Sequence, residues 1–217
     1  MGPRKYRDKL DWLKIWIDFK SGDKDSFEII YNEFVDRLYS YGSKITNDHD
    51  LVKDSIQDLF IDVYNYSIDL KFPEYLEFYL IKSLNRIIIG KLKSRNNIDY
   101  LSSGYPKKFN LKFDFEEEYI QDETDRIREK SIQNVLMELD PQKRELLFLK
   151  FNTGLNNAQI AEILNMKPET VKKQIYRILV QLRKQYGARL VELFCFITSY
   201  AKFSRTKILK TISSSFY

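Results

Sequence analysis

Residues 156–184, NNAQIAEILNMKPETVKKQIYRILVQLRK, contain the pattern that decides the fold of the second half of the chain. Asn156 or Asn157 is suited to cap a short first helix, because its side chain can accept a hydrogen bond from a free backbone N–H. Asn165 lies in a three-residue turn, where it can adopt the left-handed conformation usually given to glycine. Ala161 is small at the point where two helices must cross closely. The spacing therefore predicts a helix-turn-helix, which places its second helix in the major groove of DNA.

The second predicted helix has an apolar side and a basic side. Its apolar residues recur at the spacing of one buried helical face. Lysine and arginine on the other side can contact phosphates, and arginine can also read guanine edges. A helical hairpin with a solvated basic face is the alternative, but the small residue, the short turn and the apolar pairs occur together and favour DNA binding. The outward residues in the half that enters a groove are Lys172, Lys173, Tyr176 and Arg177.

Composition favours helices and gives little support for enzyme chemistry. The 217 residues include only 7 Gly and 5 Pro, few turn-formers for a sheet protein, so we predict an all-α fold. Cys195 is the only cysteine, which excludes an internal disulfide and a multi-thiolate metal site. His49 is the only histidine, so no second imidazole can partner it. The aspartates of residues 48–62 share one helical face and do not converge. We therefore predict no enzyme activity, no cofactor and no metal.

The chain carries no pattern typical of a secreted or membrane protein. Residues 1–5 lead into charged residues and not into an apolar core, so no secretory signal is expected. The uncharged stretch 193–201 is shorter than the roughly 20 apolar residues that a bilayer span needs. We therefore predict a soluble, cytoplasmic protein with no membrane insertion.

The net charge of +5 is distributed in blocks. Residues 82–95 carry five basic side chains and no acid, and residues 167–189 carry seven basic side chains and one acid. Residues 114–125, between them, carry seven acids. Two basic surfaces joined by an acidic connector predict a protein that grips a polyanion at two places.

Helical periodicity divides the chain into two units. In the first unit, residues 10–95, apolar residues recur at three and four positions. Helices are predicted to begin near Asp23, near Asp48 and at Pro73, where proline suits a first helical turn. The same periodicity returns in the second unit, residues 123–187.

Two further segments lack a clear assignment to either unit. Residues 96–122 lose the helical period and are predicted to be a flexible acidic linker, with an inserted loop of one larger domain as the alternative. Residues 188–217 form a C-terminal extension that could be an extra helix, a docking segment for a regulator or a disordered basic end. We favour a helix over 188–200 and disorder near 213–215.

Several motifs occur in a fixed order along residues 12–186. They are GDKDSFEIIY (22–31), DSIQDLFI (54–61), YLIKSLN (79–85), PQKR (141–144), and IAEIL (160–164) with TVK (170–172). In this order and spacing they resemble the sigma-70 family of bacterial RNA polymerase sigma factors, in its extracytoplasmic-function (ECF) class. The first three motifs are similar to region 2 of that family, and the last two to region 4.

The resemblance implies a sigma factor that directs promoter-specific initiation of transcription. Region 2 would bind core polymerase and melt the −10 element, while region 4 would read the −35 element. The linker would run through polymerase channels, so the two units would be loosely tethered in free solution. The implied partners are RNA polymerase core, through its clamp helices and flap, promoter DNA and an anti-sigma factor. A conventional helix-turn-helix regulator that binds DNA without polymerase is the alternative.

The resemblance also implies three sets of site residues. The core-binding set lies on a stripe of aspartates spaced by four from Asp50 to Asp62, a repulsive arrangement that suggests a basic partner. Aromatic side chains of the −10 set could stack on an unpaired base, worth about 1–3 kcal/mol, or belong to the core. Gly90 and Lys167 depart from the family, which often has Asp and Ser there. The sets are Asp54, Gln57, Asp58 and Ile61 for core polymerase; Phe72, Tyr75, Lys82, Asn85, Arg86, Lys91 and Lys93 for the −10 element; and Lys167, Thr170, Lys172, Lys173, Tyr176 and Arg177 for the −35 element.

Overall fold

The computed structural model describes residues 9–66, 76–95, 109–110, 134 and 136–186. Within these residues the regular structure is helical, with no strand. The all-α prediction is thus confirmed. The helices are α1 (Lys9–Lys20), α2 (Lys24–Ile45), α3 (His49–Asn65), α4 (Leu76–Ser94), α5 (Pro141–Leu147), a π-helix (Phe148–Asn152), α6 (Asn157–Ile163) and α7 (Pro168–Tyr186).

Side-chain caps fix where four of these helices begin. The Asp23 and Asp48 carboxylates accept hydrogen bonds from the backbone N–H groups of Ser26 and Leu51, as expected for helices starting at those positions. Asp140 caps α5 in the same way. Asn156 caps α6 within a reciprocal pair, in which its side chain accepts from the Gln159 N–H and the Gln159 side chain accepts from the Asn156 N–H.

The first unit, α1 to α4, packs around long apolar stripes. Trp16, Leu38 and Leu80 are among the side chains that are essentially inaccessible to solvent. Gly42 of α2 lies where α3 and α4 approach closely, because a Cβ built there would be 2.8 Å from Val52 Cγ1. Such burial of apolar surface is the main stabilising contribution to a helical unit of this size.

The second unit has the predicted helix-turn-helix geometry. α6 and α7 are joined by a short turn in which Asn165 has a φ of 51°, the left-handed conformation expected from the sequence. Ala161 is buried between the helices, as are Val171 and Ile178 on the inner face of α7. α5 packs against α7 and completes its support.

The two units are in contact in this structure, so the expectation of loose tethering does not hold for this conformation. Buried side chains of both units belong to one continuous hydrophobic cluster, which also includes Phe109. Apart from 109–110, the predicted linker 96–122 lies outside the described residues, as do the start of the second unit at 123–133 and the extension 188–217. No helix in the described ranges combines the length and the apolar character that a bilayer span needs.

Candidate nucleic-acid interface

The outer face of α7 carries the predicted groove-facing residues. The side chains of Lys172, Lys173, Tyr176 and Arg177 are all exposed, and Tyr176 retains 69% of its accessible surface. The arrangement presents cations and one aromatic ring to solvent on a single helical face, with the opposite face fixed to the protein core.

The start of α7 places the other two residues of this set differently. Lys167 is exposed and directly precedes the helix, and its carbonyl oxygen accepts from the Thr170 N–H at 2.9 Å. Thr170 itself is only partly exposed. The free N–H groups of this helix end carry partial positive charge, so they favour an anion such as a phosphate, and the adjacent Lys167 adds to that preference.

A second basic surface lies on α4. Lys82, Arg86 and Lys93 are exposed, as expected for phosphate contacts. Lys91 is only partly exposed and forms an ion pair with Asp58 of α3, with Nζ 2.6 Å from the carboxylate oxygen. The predicted aromatic pair Phe72 and Tyr75 lies outside the described residues. The −10 assignments of this helix therefore stay predictions.

Asn85 occupies a different environment from the rest of the −10 set. Its side chain is buried, and its amide nitrogen donates a hydrogen bond to the Tyr41 hydroxyl. In this conformation it does not face solvent or DNA. A role for Asn85 in binding the −10 element would require the units to rearrange and stays a prediction.

The acidic stripe of α3 is exposed along its length. Asp54, Gln57, Asp58 and Ile61 all face solvent, and Ile61 retains 48% of its accessible surface. Tyr64, one turn further on, is equally exposed, while its ring packs edge-on against a phenylalanine of α2. The result is a mixed acidic and apolar surface, the composition expected where a basic protein surface docks.

A cluster that the sequence did not reveal joins the two units. Tyr41 of α2 donates a hydrogen bond to Glu145 of α5 at 2.7 Å, and both side chains are buried. Burial raises the Tyr41 pKa well above 10, and the negative charge of Glu145 raises it further. The phenol is therefore protonated and acts as the donor. The only signal in the sequence is an acid placed directly before the apolar run Leu146–Leu149.

The described residues offer no grouping of three or more His, Cys, Asp or Glu side chains that could hold a metal ion. The side chains that these surfaces present are lysine, arginine and tyrosine on α7 and α4 and aspartate on α3, which make ionic and hydrogen-bonding contacts.

Comparison with known proteins gives likenesses in both sequence and fold. Residues 129–182 match the family model described as Sigma-70, region 4. The chain is 26% identical over 180 residues to the ECF RNA polymerase sigma factor SigW of Bacillus subtilis (strain 168), an alignment that covers 76% of this chain and 91% of that protein.

Solved structures extend the likeness of fold to most of the chain. CnrH, solved in complex with the cytosolic domain of CnrY, aligns with a TM-score of 0.52 and 16% identity over 83% of this chain and 99% of its own. The sigma factor RpoE of Bartonella quintana, solved with the anti-sigma factor NepR, aligns with a TM-score of 0.52 and 17% identity over 76% of this chain and 99% of its own. At these identities the likeness is one of fold.

Proposed function

This chain belongs to the ECF class of the sigma-70 family, and from that premise we propose that it directs promoter-specific initiation by RNA polymerase. In this proposal the first unit, as region 2, binds core polymerase and melts the −10 element, and the second unit, as region 4, reads the −35 element. The chain contributes recognition and no bond-making step. It acts where polymerase and the chromosome are, in the cytoplasm.

One observation carries the proposal: the family match over 129–182 contains the helix-turn-helix whose outer face exposes Lys172, Lys173, Tyr176 and Arg177. Cations on the first turns of a recognition helix supply phosphate contacts and base readout together. The likeness to SigW covers 76% of this chain, which supports a proposal that includes both units.

The exposed stripe of α3 suits the polymerase side of the function. Its aspartates repel one another at intervals of four, so a basic partner surface would relieve an unfavourable arrangement. We assign Asp54, Gln57, Asp58 and Ile61 to this contact, with the polymerase clamp helices as the partner. The flap would hold the second unit in the same complex.

An anti-sigma factor is the proposed regulator. The related RpoE fold was solved with the anti-sigma factor NepR. A protein of that kind, bound to the same polymerase and DNA surfaces, would hold this chain inactive until a signal releases it.

Co-purification with RNA polymerase core, followed by transcription from a genomic DNA library, tests the proposal. We expect binding to core and transcripts that start at sites sharing a −10 and a −35 element. Specific binding to duplex DNA by the chain alone, with no affinity for core, would instead identify a conventional helix-turn-helix regulator.

Charge reversal on α3 sharpens this test. Asp54→Lys should weaken core binding about tenfold or more, because it places a cation against the basic partner surface. Glu28→Lys on α2 is the matched control, since Glu28 is also exposed and lies outside the stripe. Equal losses in both variants would show that net charge, and not this stripe, determines binding.

A further inference from the structure

The contact between the two units is a built interface with a polar centre. Tyr41 of α2 donates to Glu145 of α5, and Asn85 of α4 donates to Tyr41, so three helices from both units meet at one hydroxyl. Tyr41 and Glu145 are buried to 0% and 1% exposure, respectively. A buried hydrogen bond to a charged acceptor is among the stronger ones in proteins and depends on its geometry. Such a centre favours one defined docking arrangement over random collapse.

A residue of the linker completes this interface. Phe109 is 2% exposed, and its ring lies 6.2 Å from the Tyr41 ring and 5.8 Å from the Phe148 ring, centroid to centroid. The next residue, Asn110, donates its backbone N–H to the Lys44 carbonyl at 2.7 Å. Phe109 therefore fills the space between the first unit and the π-helix of the second.

The two DNA-facing sides meet at the rim of the same contact. Lys82 Nζ of α4 lies 2.6 Å from a Glu162 carboxylate oxygen of α6. Both side chains are about half exposed, so this ion pair adds little stability. Around it, a groove of about 1060 Å³ separates α4 from the helix-turn-helix and is lined by Arg86, Lys93 and Met166, among others.

This arrangement is incompatible with the proposed function of both units at once. Elements at −10 and −35 lie about 25 base pairs apart, which is about 85 Å at 3.4 Å per base pair. In the structure, a cation of the proposed −10 surface touches the first helix of the helix-turn-helix. The two units must separate before they can occupy both elements.

We propose that the free chain is its own inhibitor: α2 of the first unit docks on α5 and the π-helix of the second, and α4 docks on α6. The Tyr41–Glu145 hydrogen bond, called the latch below, holds the two units together, and Phe109 fills the space between them. Core polymerase binds the separated units and so draws the population into the open state. The inhibitory effect of the closed state rests on the proposed function, whereas the closed state itself is a property of the isolated chain.

Carbodiimide crosslinking tests the closed state in the unaltered protein. The reagent joins an amine to a carboxylate with no spacer, so it should link Lys82 to Glu162 in the free chain, as detected by mass spectrometry. The ion pair between Lys143 and Asp140, 2.6 Å apart within the second unit, is the internal reference. Recovery of the reference link without the Lys82–Glu162 link would overturn the proposal.

Affinity for core tests the latch. If the open state is the minor one, any change that raises its population raises the apparent core affinity by the same factor. Tyr41→Phe keeps the ring and removes the donor, so core affinity should rise roughly tenfold. Tyr39→Phe, on the same helix as Tyr41, removes a hydroxyl that contacts His49 of α3 and should leave core affinity unchanged. Phe109→Ala, outside both helical units, should act in the direction of Tyr41→Phe and replaces it if that variant misfolds.

The outcomes separate the two proposals. Unchanged core affinity in a folded Tyr41→Phe or Phe109→Ala variant overturns the latch, even if the unaltered chain binds core. Failure of every variant to bind core overturns the proposed function instead. The crosslink in the free chain still decides whether the closed state exists.

Discussion

At the scale of single residues, the buried polar side chains of α2 and α3 differ in how well they are satisfied. Ser55 donates its hydroxyl hydrogen to the Leu51 carbonyl and is fully buried at little cost. The Asp36 side chain is also buried, but its Oδ1 accepts no hydrogen bond from the described residues. This burial raises the Asp36 pKa to about 6. Burial of the Asp36 carboxylate therefore lowers the stability of the first unit.

The Asp36 carboxyl predicts an unusual pH dependence of stability. Between pH 3.8 and about 6 the folded chain retains a proton that the unfolded chain has lost, so the unfolding free energy should fall as the pH rises through this window. Asp36→Asn removes the charge and should stabilise the protein by about 1–2 kcal/mol at pH 7.5, discounted for partial solvent screening. Urea unfolding of the unaltered chain and of Asp36→Asn at pH 4 and pH 7.5 measures the pH dependence of stability and the gain from the substitution. A larger gain at pH 4 than at pH 7.5 would contradict the assignment.

Gly42 and Gly90 form a matched pair for testing close packing. A Cβ at Gly42 would meet Val52 Cγ1 at 2.8 Å and Ile88 Cδ1 at 3.1 Å, whereas one at Gly90 has no such neighbour within 4 Å. Gly42→Ala should therefore destabilise the chain by about 1–3 kcal/mol through overpacking. Gly90→Ala should stabilise it by about 0.5–1 kcal/mol through helix propensity. Thermal unfolding compares the two, and a stabilising Gly42→Ala would show that the helices separate easily.

At the scale of the element, α7 combines a fixed inner face with a free outer one. Arg177 is exposed in the half of the helix expected to enter the groove. Arg177→Ala should weaken binding of polymerase holoenzyme to its −35 element by about 1–3 kcal/mol, roughly 5- to 150-fold. Arg183→Ala, near the far end of the same helix, is the control. The effect should be confined to promoters with a −35 element, so an equal loss on DNA without one would indicate only phosphate contact.

Helix beginnings were predictable because their signals are local. Asp23 and Asp48 each precede a helix and supply the capping oxygen, and Asn165 has the left-handed conformation that its turn requires. The π-helix Phe148–Asn152 was not predictable. Its wider hydrogen-bond spacing is set by what packs on either side, and no residue type marks it.

At the scale of the whole molecule, the contact between the units exceeded what the sequence could predict. Tyr41 continues the apolar stripe of α2, so helical periodicity assigns it to the core without saying which unit completes that core. Glu145 is more than one hundred positions away, and nothing local pairs the two. The exposure of the basic face of α7 and of the acidic stripe of α3, by contrast, followed from charge and period, because a solvated face needs no distant partner.

The position of Phe109 also bears on the kinetics of closing. Phe109 and Asn110 lie against α2, so only the chain after Asn110 still spans the distance to the second unit. The local concentration of one tethered partner around another falls as the tether grows longer, so this contact raises the effective concentration of the second unit near the first. Docking of Phe109 on α2 thus shortens the search that remains before the units close. Lengthening the chain before Phe109 should accordingly slow reclosure far less than the same insertion after it.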